Sequence, residues 1–435
     1  MSEERQLTHD LTRNAVLDNN QNFSPDGKWL VFDTRDKDLT ECRSIEKVHV
    51  ETAERAVIYA APDPVEGRGP GVAAVSWMPN EDSVVFIHGP MTGTGLSYAM
   101  TRRTGAIVPA DGSAKVAWAD ARDVTPPFTP GALRGGTHRH DPGGPGGQWI
   151  GYTYNDQIMK DYSETAGIDW DLRTLGVTKL GRPVEVDDHA ENRSGAGFSV
   201  AIVEVTPKEV LDESPGSERI YRASNDRWIG TKGYRKPDGS WQIARAFLGI
   251  MRVPGDGGGV VDHTEVFVVD IPEDITVPGA ASPLEGTDSS FPAPPAGCSI
   301  RRLTHTQGKC KGDVRSAPDG SVLAFLAPDE AGRTQVFTVP TVGGDAVQVT
   351  NFEEGAGTNP LWFPDGHRIL TTRAGRLVVV NADPGAREDT RYLTAEGKGR
   401  VLMPCISPDG STVAFGRRVG GREDGTVQIF AIDVQ

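Results

Sequence analysis

The chain has 435 residues with 52 Gly and 31 Pro, about one residue in five against a usual value near one in eight. That much glycine and proline excludes a mainly helical protein, since neither residue suits a helix interior. A net charge of −15 excludes nucleic acid or an anionic membrane as partner, both of which ask for a basic face.

The first ten residues, Met1 to Asp10, are charged and lack the apolar centre of a secretory signal. No apolar run approaches the roughly 20 residues of a membrane span. A cytoplasmic protein is expected, with Cys42, Cys298, Cys310 and Cys405 as reduced thiols.

Taken along the chain, one signal recurs. Ser24-Pro25-Asp26-Gly27 precedes a buried-type strand from Trp29, and degenerate copies follow at Met78-Pro79-Asn80 and Gly144-Pro145-Gly146-Gly147. The full pattern returns at Ala317-Pro318-Asp319-Gly320, Phe363-Pro364-Asp365-Gly366 and Ser407-Pro408-Asp409-Gly410. Proline presets the backbone angle of a tight turn, and Asp-Gly accepts the positive φ that follows. Runs ending in Leu-Thr or Val-Thr (301–305, 347–351, 391–395) alternate with runs such as 265–272, 335–341, 376–382 and 428–434. Each unit therefore reads as four strands repeated about every 45 residues, the signature of propeller blades.

The last unit stops at its third strand, and its missing outer strand is supplied by Arg5-Gln6-Leu7-Thr8-His9. The fold expected is all-β: a single closed propeller, residues 1–435, of seven four-stranded blades. The blades fall near 10–60, 70–110, 136–185, 190–272, 299–352, 355–395 and 398–435 with 3–9, and 273–298 forms a surface loop. In the fourth, 196–205 is read as the inner strand.

The Pro-Asp-Gly and Leu-Thr pattern resembles the TolB-like (WD40-like) propeller repeats, a family that includes the Tol-system propeller, the propellers of prolyl oligopeptidase-like peptidases and oligogalacturonate lyase. No Gly-x-Ser-x-Gly elbow is present for a peptidase. The segments Gly135–Gly144, Tyr152–Met159 and Asp187–Ser199 also resemble a group of bacterial propellers.

Propeller ligands usually sit at one mouth of the central channel, beside the residues that begin each inner strand. Five positions before each turn proline stand Asn20, His140, Asp313, Asn359 and Met403; seven before stand Asp18, His138, Lys311, Gly357 and Val401. Alternation along a strand would put His138 and His140 on one face, as a metal needs. His189, in the loop read as leading into the next blade, would be the third ligand.

The resemblance implies a metal-dependent lyase. Oligogalacturonate lyase carries a similar His-x-His pair and binds manganese, although its upstream glutamine is Gly135 here and its histidine from the preceding blade has only His88 as counterpart. The expected function is a carbohydrate-active enzyme cleaving a uronate or related sugar. The metal expected at His138, His140 and His189 is manganese, with zinc or calcium as alternatives. His88 or His189 would take the proton, Arg134 or Arg193 would hold the acid group, and Asn20, Asp313 and Asn359 would bind the small-molecule or oligosaccharide substrate. The alternative is a non-catalytic TolB-like propeller that binds a protein or peptide on its rim.

Overall fold

In a computed structural model, residues 3–18, 21–35, 42–61, 69–91, 93–113, 115–383, 390–421 and 425–434 are described. Seven antiparallel sheets follow one another around a ring. Blade 1 contains Trp29–Asp33, Ser44–His49 and Arg55–Ala60, with an inner segment bridged at Val16 to Asp33 and at Phe23 to Leu30. Blade 2 runs Ala73–Trp77, Ser83–His88, Thr104–Pro109 and Ala117–Trp118. Blade 3 runs Gly135–Gly143, Trp149–Asp156, Arg173–Val184 and Gly195–Ala201. Blade 4 runs Ile220–Trp228, Trp241–Pro254, Val260–Ile271 and Ser299–Arg302, with Tyr234–Arg235 added against its second strand. Blades 5 and 6 begin at Lys311 and Leu361.

Blade 7 holds Leu402–Ile406, Thr412–Val419 and Thr426–Asp433, and its outer strand is Arg5–Gln6 from the other end of the chain. Arg5 pairs with Ala431 and Gln6 with Phe430, and Thr8 Oγ1 accepts from the Ile429 amide at 2.8 Å. Leu7, Leu17, Leu30, Phe32, Ile429 and Ala431 share one apolar cluster across the joint. The expected all-β ring of seven blades is therefore the fold.

The turns show why the repeat has its sequence. Ser24 Oγ donates to Asp26 Oδ1 at 2.6 Å, the same oxygen accepts from the Lys28 amide, and Gly27 has φ +73°. Ser407, Asp409 and Gly410 repeat this set.

One expectation changes. The segment read as the inner strand of the fourth blade is the outermost strand of blade 3, Gly195–Ala201, hydrogen-bonded to Arg173–Val184. Blade 4 starts instead at Ile220, and its turn is Lys236-Pro237-Asp238-Gly239, with Asp238 Oδ1 accepting from the Ser240 amide. The insertion at 273–298 is anchored rather than loose. Ile275 and Leu284 are buried, and the carbonyls of Thr287 and Ser290 accept from Arg134.

Candidate functional site

The inner strands share an irregularity that shapes the axis. Those of blades 2, 3, 4, 5 and 7 each slip register around one left-handed residue: Ala74, Arg139, Asn225, Gly312 and Met403. Such a bulge re-aims the side chains around it. In blade 3 the slip falls between His138 and Asp141, so the two-residue alternation that would align His138 with His140 is broken.

What the bulges assemble is an arginine cluster around Asp313, which is 1% exposed. Arg139 grips its carboxylate with both Nη atoms, at 3.0 and 2.8 Å. Arg227 Nη2 donates at 2.9 Å, Arg315 Nη2 at 2.7 Å and Asn225 Nδ2 at 3.1 Å. Burial would raise the Asp313 pKa, but Arg227, Arg139 and Arg315 together hold it well below the usual carboxylate range. Asp18 is held down in the same way: burial opposes, and Arg35, paired with it at 2.8 Å, and Arg139 prevail.

One carboxylate cannot satisfy three guanidiniums. Arg315 is 6% exposed, and its Nε and Nη1 have no hydrogen-bond partner among the described residues. Burial and the neighbouring Arg227 push its pKa well below the usual value, the mark of an under-compensated buried charge. The Arg139 Nε and the Thr358 Oγ1 are likewise buried and unpartnered among the described residues.

These groups wall a cavity of about 220 Å³ where the inner segments of blades 1, 3, 5, 6 and 7 converge. Among the described residues, Arg139, Arg315 and Arg400 face it against Asp18 and Asp313, together with Thr358 and Asn359. The cavity is a local positive centre in an acidic chain, lined with spare donors. It suits a small anion with hydroxyl groups.

Of the residues expected at the channel mouth, Asp18, Asp313, Gly357, Asn359, Val401 and Met403 meet in this cavity, and Asn20 lies outside the described residues. The others stand elsewhere. His140 is buried between blades 2 and 3, with Nε2 at 2.8 Å from Thr137 Oγ1, and burial pushes its pKa down to about 3. His138 is half-buried, and burial together with Arg103 and Arg173 holds its ring well below the usual histidine range. His189 sits on an exposed loop, its Nδ1 accepting from the Glu191 amide.

Arg134 is 0% exposed and bound through Nε and Nη2 to Asp156, at 3.0 and 2.9 Å. His88 is equally buried, with Nε2 3.0 Å from the Tyr59 hydroxyl and Nδ1 2.6 Å from the Gly89 carbonyl. His88 and Arg193 do come together, both against Trp118. No group of three His, Cys, Asp or Glu side chains among the described residues is placed to hold a metal.

Arg139, Arg315, Thr358 and Arg400 were not expected at the site. Arg139 stands between the two histidines and Thr358 between Gly357 and Asn359, positions that strict alternation turns away from the ring. The bulge turns Arg139 inward.

Geometry thus defines a seven-bladed propeller with an arginine-rich axial cavity. A family described as protein of unknown function (DUF3748) matches residues 71–193. The chain belongs to the family of the Escherichia coli (strain K12) protein described as uncharacterized protein YidR, with which it is 32% identical over 418 residues, 93% of this chain and 92% of that protein. Among solved structures it is similar to an oligogalacturonate lyase in complex with manganese, at a TM-score of 0.56 and 13% identity over 100% of this chain and 93% of that one. A second oligogalacturonate lyase, from Vibrio parahaemolyticus, aligns at a TM-score of 0.52 and 14% identity, covering 100% and 94% of the two chains. Both likenesses concern the fold. No helix among the described residues is long and apolar enough to cross a membrane.

Proposed function

We propose that this propeller binds a small acidic sugar of the uronate type, or a closely related hydroxy acid, in the axial cavity. The observation that carries the reading is the buried Arg315 guanidinium, whose Nε and Nη1 lack partners among the described residues at the wall of that cavity. A carboxylate placed there supplies the missing counter-charge, and Thr358 and Asn359 meet the hydroxyl groups.

The lyase form of the reading draws on the neighbour named for manganese and for oligogalacturonate cleavage. It asks for a metal, and the described residues do not fit one. His138 and His140 are separated by the bulge, the His140 Nε2 is engaged by Thr137, and His189 is not brought to them. Binding of the acid is therefore the reading adopted, and no step is routed through a metal.

Titration calorimetry with galacturonate and digalacturonate, with glucose as the neutral control, tests it. The acids are expected to bind and glucose not. Thr358→Val should weaken binding about tenfold, the loss of one hydrogen bond, without lowering the melting temperature, because the hydroxyl it removes is already unpaired. Arg315→Lys should abolish binding. Glucose binding as well as galacturonate, or variants indistinguishable from wild type, would sink the proposal and favour a rim-binding protein partner.

A further inference from the structure

A separate cleft of about 180 Å³ lies at the junction of blades 2 and 3, lined by Pro90, Met91, Leu96, Trp118 and Arg193 among others. Its polar wall is the run Glu191-Asn192-Arg193, and the first two residues are tied into the fold. Glu191 accepts from Arg102 Nε and Nη2 at 3.1 and 3.0 Å and from Arg122 Nη2 at 2.9 Å. Asn192 donates to Asp123 Oδ1 and Thr125 Oγ1 and accepts from the Val124 amide. The Arg193 backbone is fixed as well, exchanging hydrogen bonds with Arg122 in both directions.

Only the Arg193 side chain is left over. Its guanidinium lies 4.5 Å from the centre of the Trp118 ring, and Nε and Nη2 are buried with no hydrogen-bond partner among the described residues. Burial pushes its pKa down to about 10, with Asp120 attracting it only in part. The Asp120 oxygens already accept from Thr104 Oγ1 and the Gly105 amide.

The Nε and Nη2 hydrogens lie along one edge of a guanidinium, the edge that grips a carboxylate through two parallel bonds. Here that edge is held on a rigid backbone, against an aromatic face, with nothing to bind. Preorganised donors of this kind are what a ligand site needs.

We propose that this cleft is a second binding site, for a monocarboxylate with a flat or apolar body, the carboxylate on the Nε–Nη2 edge of Arg193 and the body against Trp118, Met91 and Leu96. Arg102 and Arg122 are committed to Glu191, so the cleft offers one unpartnered guanidinium edge, enough for a carboxylate and too little for a phosphate. The site stands apart from the axial cavity and does not depend on what that cavity binds.

Calorimetry with benzoate as probe, benzamide as its neutral counterpart and inorganic phosphate as the alternative anion tests the assignment. Wild type should bind benzoate at least tenfold tighter than benzamide or phosphate. Arg193→Met keeps the stem and removes the unpaired charge, so it should fold normally and lose benzoate binding. Trp118→Leu keeps the arginine and should weaken benzoate at least tenfold. Benzamide or phosphate binding as tightly as benzoate would overturn the proposal, as would benzoate binding unchanged in both variants. Galacturonate titrated into Arg193→Met separates the two sites: loss of galacturonate there would merge them and overturn the second.

Discussion

The histidines carry the lesson of individual side chains. His88 and His140 attract attention in the sequence because histidine so often ligates or titrates, yet each is enclosed and neutral. Burial pushes the His88 pKa down to about 4, from an ordinary value near 6.5. A histidine with a depressed folded-state value stabilises the fold fully above the unfolded value, and that contribution is lost as pH falls from about 6.5 towards about 4. His140, pushed down to about 3, adds to the same slope. At about pH 5 the loss from His88 alone is about 2 kcal/mol. The melting temperature should therefore fall between about pH 7 and about pH 5, and less steeply in His88→Gln, which stays neutral throughout. Equal slopes in the two proteins would contradict the assignment.

At the level of strands, the bulge is the unit that makes the site. Gly312 has φ +72°, and a Cβ there would overlap Asn359 Oδ1 in the next blade. Gly312→Ala should cost about 1–3 kcal/mol of stability through the strained backbone and weaken galacturonate by displacing Asn359, measured by thermal melts and calorimetry. An alanine variant that binds as well as wild type would show that Asn359 is no part of the cavity's function. The bulge also explains what sequence reading sees and misses. Asp313 and Asn359 are found by counting back from the turn proline, because the turns at Pro318 and Pro364 fix the register of their blades. Arg139 is missed because counting by two puts it on the far face. The same counting pairs His138 with His140, which the chain's left-handed residue separates. Blade 4 is misplaced for a different reason: its turn, Pro237-Asp238-Gly239, follows a two-residue strand and a long inner one, which leaves 196–205 as the more strand-like candidate.

For the whole molecule, closure through Arg5–Gln6 is what turns a curved stack of sheets into a ring. Without it, the third strand of blade 7, Thr426–Asp433, becomes an open edge, and open edges pair with other chains. A protein lacking residues 1–9 also loses Leu7, which is 2% exposed in the joint between blades 7 and 1. It should melt at a lower temperature and form oligomers visible by light scattering. A monodisperse monomer of unchanged stability would show that the joint holds without its last strand.

That joint also orders events in time. The closing strand, Arg5–Gln6, leaves the ribosome long before its partner, Thr426–Asp433. At about 5–20 residues per second, roughly 20–90 s separate the two. Throughout that interval Arg5–Gln6 is a strand without a sheet and the growing arc has no final blade to offer it. The axial cavity, which draws on both blade 1 and blade 7, cannot form until blade 7 has been made. A chain truncated before blade 7 would be left as an arc with two open edges.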